Sequence, residues 1–201
     1  MKAIATTGFA ISLLAGTGGP VIAASADPSI ARLNYAGFSR LGHCTATLIG
    51  PKAALTAKHC VEKRPASTLH LVFGYHNREW LDHKRVESIH ADATRDIAVL
   101  CMKGTSSFTP KTVSPEKFGH SGALLTVTGY RRSQAHRQTD LLCAYKPGKV
   151  AIRLECLSEP GLSGAPVLNA QGAVLGVLKG HNRTHSIAIR ASDLPEAPCL
   201  K

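Results

Sequence analysis

Ser163 sits in CLSEPGLSGAPVL, residues 156–168, two positions after Gly161 and directly before Gly164. A serine hydroxyl is a poor nucleophile until an adjacent base takes its proton. Of the ten histidines, His59 has the most suggestive setting, LTAKHC, after a strand-like AALT and directly before Cys60. Asp96 opens DIAVL, at the mouth of an apolar run. A carboxylate placed beside an imidazole accepts its Nδ1–H, fixes the tautomer and stabilises the imidazolium. Brought together, these residue types perform acyl transfer. The turn supplies a further requirement. Gly161 can take backbone angles closed to other residues. That lets its N–H and that of Ser163 face a developing oxyanion, and losing one such donor costs a hydrolase about 10²–10³ in rate. Gly164 allows close backbone packing. Each residue also has a plain structural explanation alone: a surface histidine, a turn-forming aspartate, a serine in a tight turn.

The three lie far apart in sequence, so a fold must join them. Short apolar runs rich in β-branched residues recur between turn residues: CTATLIG, AALT, TLHLVFG, DIAVLC, ALLTVTGY, KVAIRLEC, PVLN, AVLGVLKG and SIAIR. Long helical periodicity is missing. This reads as an all-β barrel or sandwich rather than βαβ units. PVLNAQGAVLGVL is a hairpin with its turn at Asn169–Gly172. ASDLPEAPCLK can start a short C-terminal helix, with Ser192 as its cap and Pro195 an early interruption. Residues 102–122, rich in Pro, Ser, Gly and Lys, divide the chain into two lobes.

The chain of 201 residues suits one good-sized domain or two small lobes. Residues 1–26 read as a secretory signal peptide, with Lys2, an apolar run too short to span a bilayer comfortably, and small residues before a cut after Ala26 or Ala23. From Asp27 on there is no second apolar run of membrane length. An exported chain gives meaning to its six cysteines, Cys44, Cys60, Cys101, Cys143, Cys156 and Cys199. Three disulfides are expected, and fifteen pairings are open. A Cys44–Cys60 bridge would pin the His59 loop to the preceding strand, a closure worth about 3 kcal/mol. The formal charge of +11 falls to +10 without Lys2. It attracts anionic partners at long range. The basic residues are scattered, though densest in RVES and YRRSQAHRQ, and no aromatic-interleaved RNA-binding motif is present. The charge reads mainly as a solvated surface.

Taken together, TAKHC, DIAVL and GLSGAP resemble the motifs of the trypsin/chymotrypsin-like serine peptidases, in that order. TVTGY, ending at Tyr130, is similar to the start of that family's second barrel. The resemblance covers essentially all of the chain after the leader. It implies an all-β fold of two antiparallel β-barrels with the site in the cleft between them: a first barrel at about 35–105, a linker at about 102–122 and a second barrel at about 123–201. It also implies that Ser163 attacks the scissile carbonyl, His59 moves the proton, Asp96 orients His59, and the Gly161 and Ser163 N–H groups form the oxyanion hole. In digestive members the position of Leu162 is an aspartate that pairs with a new N-terminus after activation. Leucine cannot do so, and IARLNYAGF does not match an activation site clearly. Secreted bacterial relatives, glutamyl endopeptidase-like and HtrA-like enzymes among them, also carry a non-acidic residue there. The expectation is competence without that activation route.

Beyond Cys44–Cys60, Cys143 and Cys156 flank AYKPGKVAIRLE, a hairpin turning at Lys146–Lys149, and are expected to pair; Cys101 and Cys199 remain. In this family the primary pocket lies before the serine motif and along the strand after the hairpin, here LECLSEP and GVLKGHNRT. The residues assigned to it are Leu157, Ser158, Lys179, Gly180 and His181. No carboxylate aligns at the base, although Glu155 and Glu159 are near. Arginine specificity is not expected, and Lys179 and His181 can favour an acidic side chain. The sequence therefore points to an exported, monomeric serine endopeptidase acting on peptides or proteins. No cofactor, metal, specific nucleic acid or membrane span is expected. Two other readings compete. One is a catalytically weak, protease-fold binding protein that uses its basic surface. The other is a metal site at the evenly spaced His76, His83 and His90, which matches no ligand signature.

Overall fold

The computed structural model describes residues 26–35, 42–115, 118–148 and 151–201. All but the last residue of the expected leader therefore lies outside the described residues, as does Lys149 of the expected Lys146–Lys149 turn. Among the described residues there is no α-helix, only four short 3₁₀ turns, at Lys58–Cys60, Ala66–Thr68, Arg132–Gln134 and Pro198–Leu200.

The strands close into two antiparallel barrels. The first contains β1 (Ile30–Tyr35), β2 (His43–Gly50), β3 (Ala53–Thr56), β4 (Leu69–Phe73), β5 (Asp82–Ala91) and β6 (Ala98–Met102), in the order β1-β2-β3-β6-β5-β4. The second contains β7 (Leu124–Gly129), β8 (Thr139–Lys146), β9 (Ile152–Glu155), β10 (Pro166–Leu168), β11 (Val174–His181) and β12 (Ser186–Arg190), in the order β10-β11-β12-β9-β8-β7. Closure leaves no open edge in either sheet. Each barrel is filled by its own apolar cluster, with Leu33, Leu48, Leu71, Phe73 and Leu100 in the first and Leu125, Val127, Leu154, Val167 and Leu178 in the second.

The first barrel starts at Ile30, several residues earlier than the sequence suggested. β1 escapes a simple pattern because both of its faces are buried. Ala31 and Leu33 enter the barrel core, while Ile30 packs on Tyr130 of the other lobe, as period-2 alternation requires. The Asn169–Gly172 turn is present: Asn169 N–H donates to Ala173 O, and Asn169 Oδ1 accepts from the Gln171 and Ala173 N–H groups. The expected C-terminal helix is not. Ser192 caps nothing, Asp193 has φ +57°, and only Pro198–Leu200 forms a 3₁₀ turn. Two prolines within that stretch remove the donors a helix needs.

The disulfides are Cys44–Cys60, Cys101–Cys199 and Cys143–Cys156. The first fastens the His59 turn to β2, the second ties the C-terminus to β6, and the third joins β8 to the chain after β9.

Candidate active site

His59 lies in the Lys58–Cys60 turn just after β3, and Asp96 lies just before β6, the strand paired with β3. That pairing brings the two residues together across 37 positions. His59 Nδ1–H donates to Asp96 Oδ2 at 2.8 Å, and the His59 backbone N–H donates to Asp96 Oδ1 at 2.9 Å. One carboxylate thus holds both the ring and the backbone. Burial pushes the Asp96 carboxyl up, but the two His59 hydrogen bonds, helped by the charges of His59 and Lys179, hold it below its ordinary value. The imidazole is 43% exposed, and its Nε2 lies 3.8 Å from Cys60 Sγ.

The loop carrying Asp96 is braced separately. Arg95 makes two bonds to the Asp92 carboxylate, Nε at 2.9 Å and Nη2 at 2.6 Å, and reaches Ser192 O with Nη1 at 2.8 Å. Lys58 Nζ donates to Asp92 O at 2.9 Å. These cations hold the loop and also line the cavity beside His59.

Ser163 comes from the second barrel, in the turn before β10. Backbone bonds tie the turn to both barrels: Thr45 N–H donates to Ser163 O at 2.8 Å and Gly164 N–H to Leu178 O at 2.8 Å. Gly161 has φ +95° and Gly164 φ +84°. At Gly164 a Cβ would lie 2.1 Å from Thr45 O and 2.2 Å from Thr56 Oγ1, so only glycine fits between the turn and the chain leading to His59. Leu162 is 1% exposed and belongs to the second barrel's core. The side chain before Ser163 is therefore an apolar anchor.

Arg132 N–H donates to Pro160 O at 2.7 Å. The trans peptide unit carries its C=O and N–H in opposite directions. The Gly161 N–H consequently points away from Arg132. Among the described residues, neither the Gly161 nor the Ser163 N–H has a protein acceptor. The Ser163 hydroxyl donates to Lys179 O at 3.2 Å, and no Ser163–His59 hydrogen bond is present among the described contacts. Catalytic hydrogen bonds are often long in unliganded hydrolases and tighten when substrate arrives.

A cavity of about 580 Å³ opens beside His59, lined by His59, Asp96, Lys179, Gly180 and His181 among others. The residues assigned to the pocket divide. Lys179, Gly180 and His181 line this cavity, whereas Leu157 is 56% exposed and Ser158 is buried, its N–H held by Ser186 Oγ at 2.9 Å. Cys44, His59 and Cys60 bring ligand-type atoms within 4.8 Å of one another, but both sulfurs are used in the disulfide. The other evenly spaced histidines do not converge. His76 faces Glu79 through a backbone bridge, His83 Nε2 is 2.8 Å from His70 Nδ1, and His90 Nε2 is 2.9 Å from Ser88 Oγ. Sequence reasoning missed Thr45, which holds Ser163 O with its backbone N–H and Gly161 O with its hydroxyl, and Tyr130, whose carbonyl lies against Gly161.

This fold and site define a class. The chain matches the family model of the trypsin-like peptidase domain over residues 44–177. The chain belongs to the trypsin-like peptidase family. No curated protein sequence matches it. Solved structures that it resembles include the Vibrio cholerae VesB protease, with 17% identity and TM-score 0.70, covering 82% of this chain and 61% of that one. A Glu endopeptidase matches at 18% identity and TM-score 0.72, covering 83% of this chain and 86% of that one. A scabies mite inactivated protease paralogue matches at 15% identity and TM-score 0.70, covering 83% and 90%. Identities this low carry the two-barrel fold and no more, since an inactivated paralogue shares it. The three disulfides fit an oxidising compartment. Among the described residues no helix is long and apolar enough to cross a membrane.

Proposed function

We propose that the chain is an exported serine endopeptidase, secreted or periplasmic, that cleaves peptide bonds through an acyl-enzyme. The observation that carries this reading is the grip of Asp96 on both the ring and the backbone of His59, with the Ser163 turn packed through Gly164 against Thr56 and Ala57, the chain leading to His59. His59 is the base, with Nδ1–H committed to Asp96 and the Nε2 lone pair left for the hydroxyl proton. The Ser163 hydroxyl leaves Lys179 O, gives its proton to Nε2, and Oγ bonds to the scissile carbonyl carbon. The resulting oxyanion is received by the Gly161 and Ser163 N–H groups. His59 then protonates the leaving amine, and water, deprotonated by His59, releases the acyl group.

Leu157, Ser158, Lys179, Gly180 and His181 are proposed to receive the substrate side chains. The Lys179 ammonium and the His181 imidazole favour an acidic residue of the substrate, in a cavity whose lining also carries Lys58 and Arg95 against the carboxylates of Glu62 and Asp96. The buried Leu162 supports competence without an inserted N-terminus.

Labelling with a fluorophosphonate, mapped by mass spectrometry, tests the reading. The expected result is one adduct at Ser163, lost in Ser163→Ala. A folded, disulfide-intact protein that takes no label would instead favour the binding-protein reading, for which the hydroxyl's contact with Lys179 O is the supporting observation.

A further inference from the structure

Behind the serine turn lies a buried polar relay that the reaction scheme does not use. Arg32 on β1 is 1% exposed and His43 on β2 is 5% exposed. Burying a guanidinium carries a large desolvation penalty, so its place here calls for a reason. Arg32 Nη2 lies 3.1 Å from His43 Nδ1. A guanidinium has only donors. His43 Nδ1 is therefore an acceptor, and the tautomer that satisfies both ring nitrogens carries its proton on Nε2. That Nε2–H donates to Tyr130 O at 2.9 Å. Arg32 is held in turn by Ala135 O at 3.1 Å and by Asn34 Oδ1.

The relay ends against Gly161. A Cβ there would lie 2.3 Å from Tyr130 O and 2.6 Å from His43 Nε2, so the glycine backbone rests directly on the His43–Tyr130 hydrogen bond. Thr45 Oγ1 adds a second strut, accepting from Tyr130 N–H at 3.1 Å and donating to Gly161 O at 3.0 Å. Two residues past Tyr130, Arg132 N–H holds Pro160 O at 2.7 Å, which sets the peptide whose N–H belongs to Gly161. Every link from β1 to the Gly161 N–H is a hydrogen bond or a direct contact.

We propose that His43, backed by Arg32, is a positioning residue that holds the Gly161 N–H in place for the oxyanion. This rests on the serine-peptidase reading above. His43 touches no reacting atom. It fixes Tyr130 O, and Tyr130 fixes the turn. The first barrel thereby sets the donor geometry of a turn that belongs to the second.

Two labelling rates measured by mass spectrometry test this. Phosphonylation of Ser163 by a fluorophosphonate builds negative charge at the oxyanion position. Carbethoxylation of His59 by diethyl pyrocarbonate depends on the imidazole and its exposure, not on the turn. In His43→Ala the first rate is expected to fall about 10–100-fold while the second stays within about twofold of wild type, since the donor is loosened rather than deleted. His43→Gln can accept from Arg32 and donate to Tyr130 O, and should restore most of the loss. Thr45→Val removes the second strut at nearly constant volume and should also lower phosphonylation selectively, by about tenfold. Wild-type phosphonylation in His43→Ala would overturn the proposal. So would an equal fall in both rates with no rescue by glutamine, which is the pattern of plain destabilisation. A wild-type protein carbethoxylated at His59 but never phosphonylated at Ser163 is a separate result: it sinks the peptidase reading, and this role with it.

Discussion

The two halves of the site are held by different means. The His59–Asp96 half is fastened by side chains: one carboxylate grips a ring and a backbone N–H, and Arg95 braces the loop. The Ser163 half is fastened mainly by backbone: carbonyls and N–H groups of Thr45, Leu178 and Arg132, with the Thr45 hydroxyl on Gly161 O, hold a turn whose glycines admit no side chain. The difference predicts how each half fails. Substitution in the first should damage chemistry and leave the fold. Substitution of the glycines in the second should damage the fold and, through it, the chemistry.

The largest expected effect tests the first half. Asp96→Asn keeps an oxygen for the His59 backbone N–H but turns an amide N–H toward Nδ1. The imidazole then takes the wrong tautomer, and loss of that control costs about 10⁴ in rate. Fluorophosphonate labelling kinetics should show a fall of this order, with a melting temperature close to wild type. Unfolding of the variant would erase the contrast, because Asp96 would then be a structural residue.

Gly164→Ala tests the other half. The new Cβ would meet Thr45 O and Thr56 Oγ1 at 2.1 and 2.2 Å, at φ +84°. Left-handed strain and overpacking together amount to about 2–6 kcal/mol. Denaturant unfolding with disulfides intact should register a loss in that range. A variant that stays fully stable yet loses labelling would show that this half, too, fails chemically.

A smaller effect separates the barrels through their disulfides. Cys101–Cys199 spans 98 residues and Cys143–Cys156 only 13. In the chain-entropy account, loops of these sizes are worth about 4.7 and about 3 kcal/mol respectively. Paired Cys→Ser variants compared by urea unfolding should rank in that order. The reverse ranking would place the weaker closure in the first barrel.

The sequence marked the candidate residues better than their supports. His59, Asp96 and Ser163 stand in short, distinctive contexts, and the strands that carry them are apolar runs of ordinary length. Support was harder to read where burial and polarity part company. β5, DHKRVESIHA, buries only Val86 fully, so it reads as a charged surface stretch although it pairs with both β4 and β6. β1 hides an arginine and an asparagine on its inter-barrel face, where composition predicts apolar residues. The C-terminal segment offered a serine cap and failed as a helix because its prolines outweighed the cap. The hold of Thr45 and Tyr130 on the serine turn includes backbone atoms that every residue carries, so no residue type announces it.

Acid should reveal the same asymmetry at the smallest scale. Asp96 titrates below its ordinary value, burial being outweighed by the His59 bonds and the nearby Lys179 charge. Asp92 is pushed further down, first by the Arg95 side-chain bonds and then by the Arg95 and Thr94 backbone N–H groups. A carboxyl lowered in the folded state stabilises it at pH values above the unfolded carboxyl's, near about 3.9, and this stabilisation is lost as pH falls through the folded value. Both groups sit on the loop that presents Asp96 to His59. The hydrogen bonds made by residues 161–165 themselves run to peptide groups and the Thr45 hydroxyl, which do not titrate in this range. As pH falls below about 4, hydrogen exchange should quicken in residues 92–97 before it quickens in 161–165. Simultaneous loss of protection in both segments would mean that the two halves open as one unit, and that the division between a side-chain clamp and a backbone cradle has no energetic counterpart.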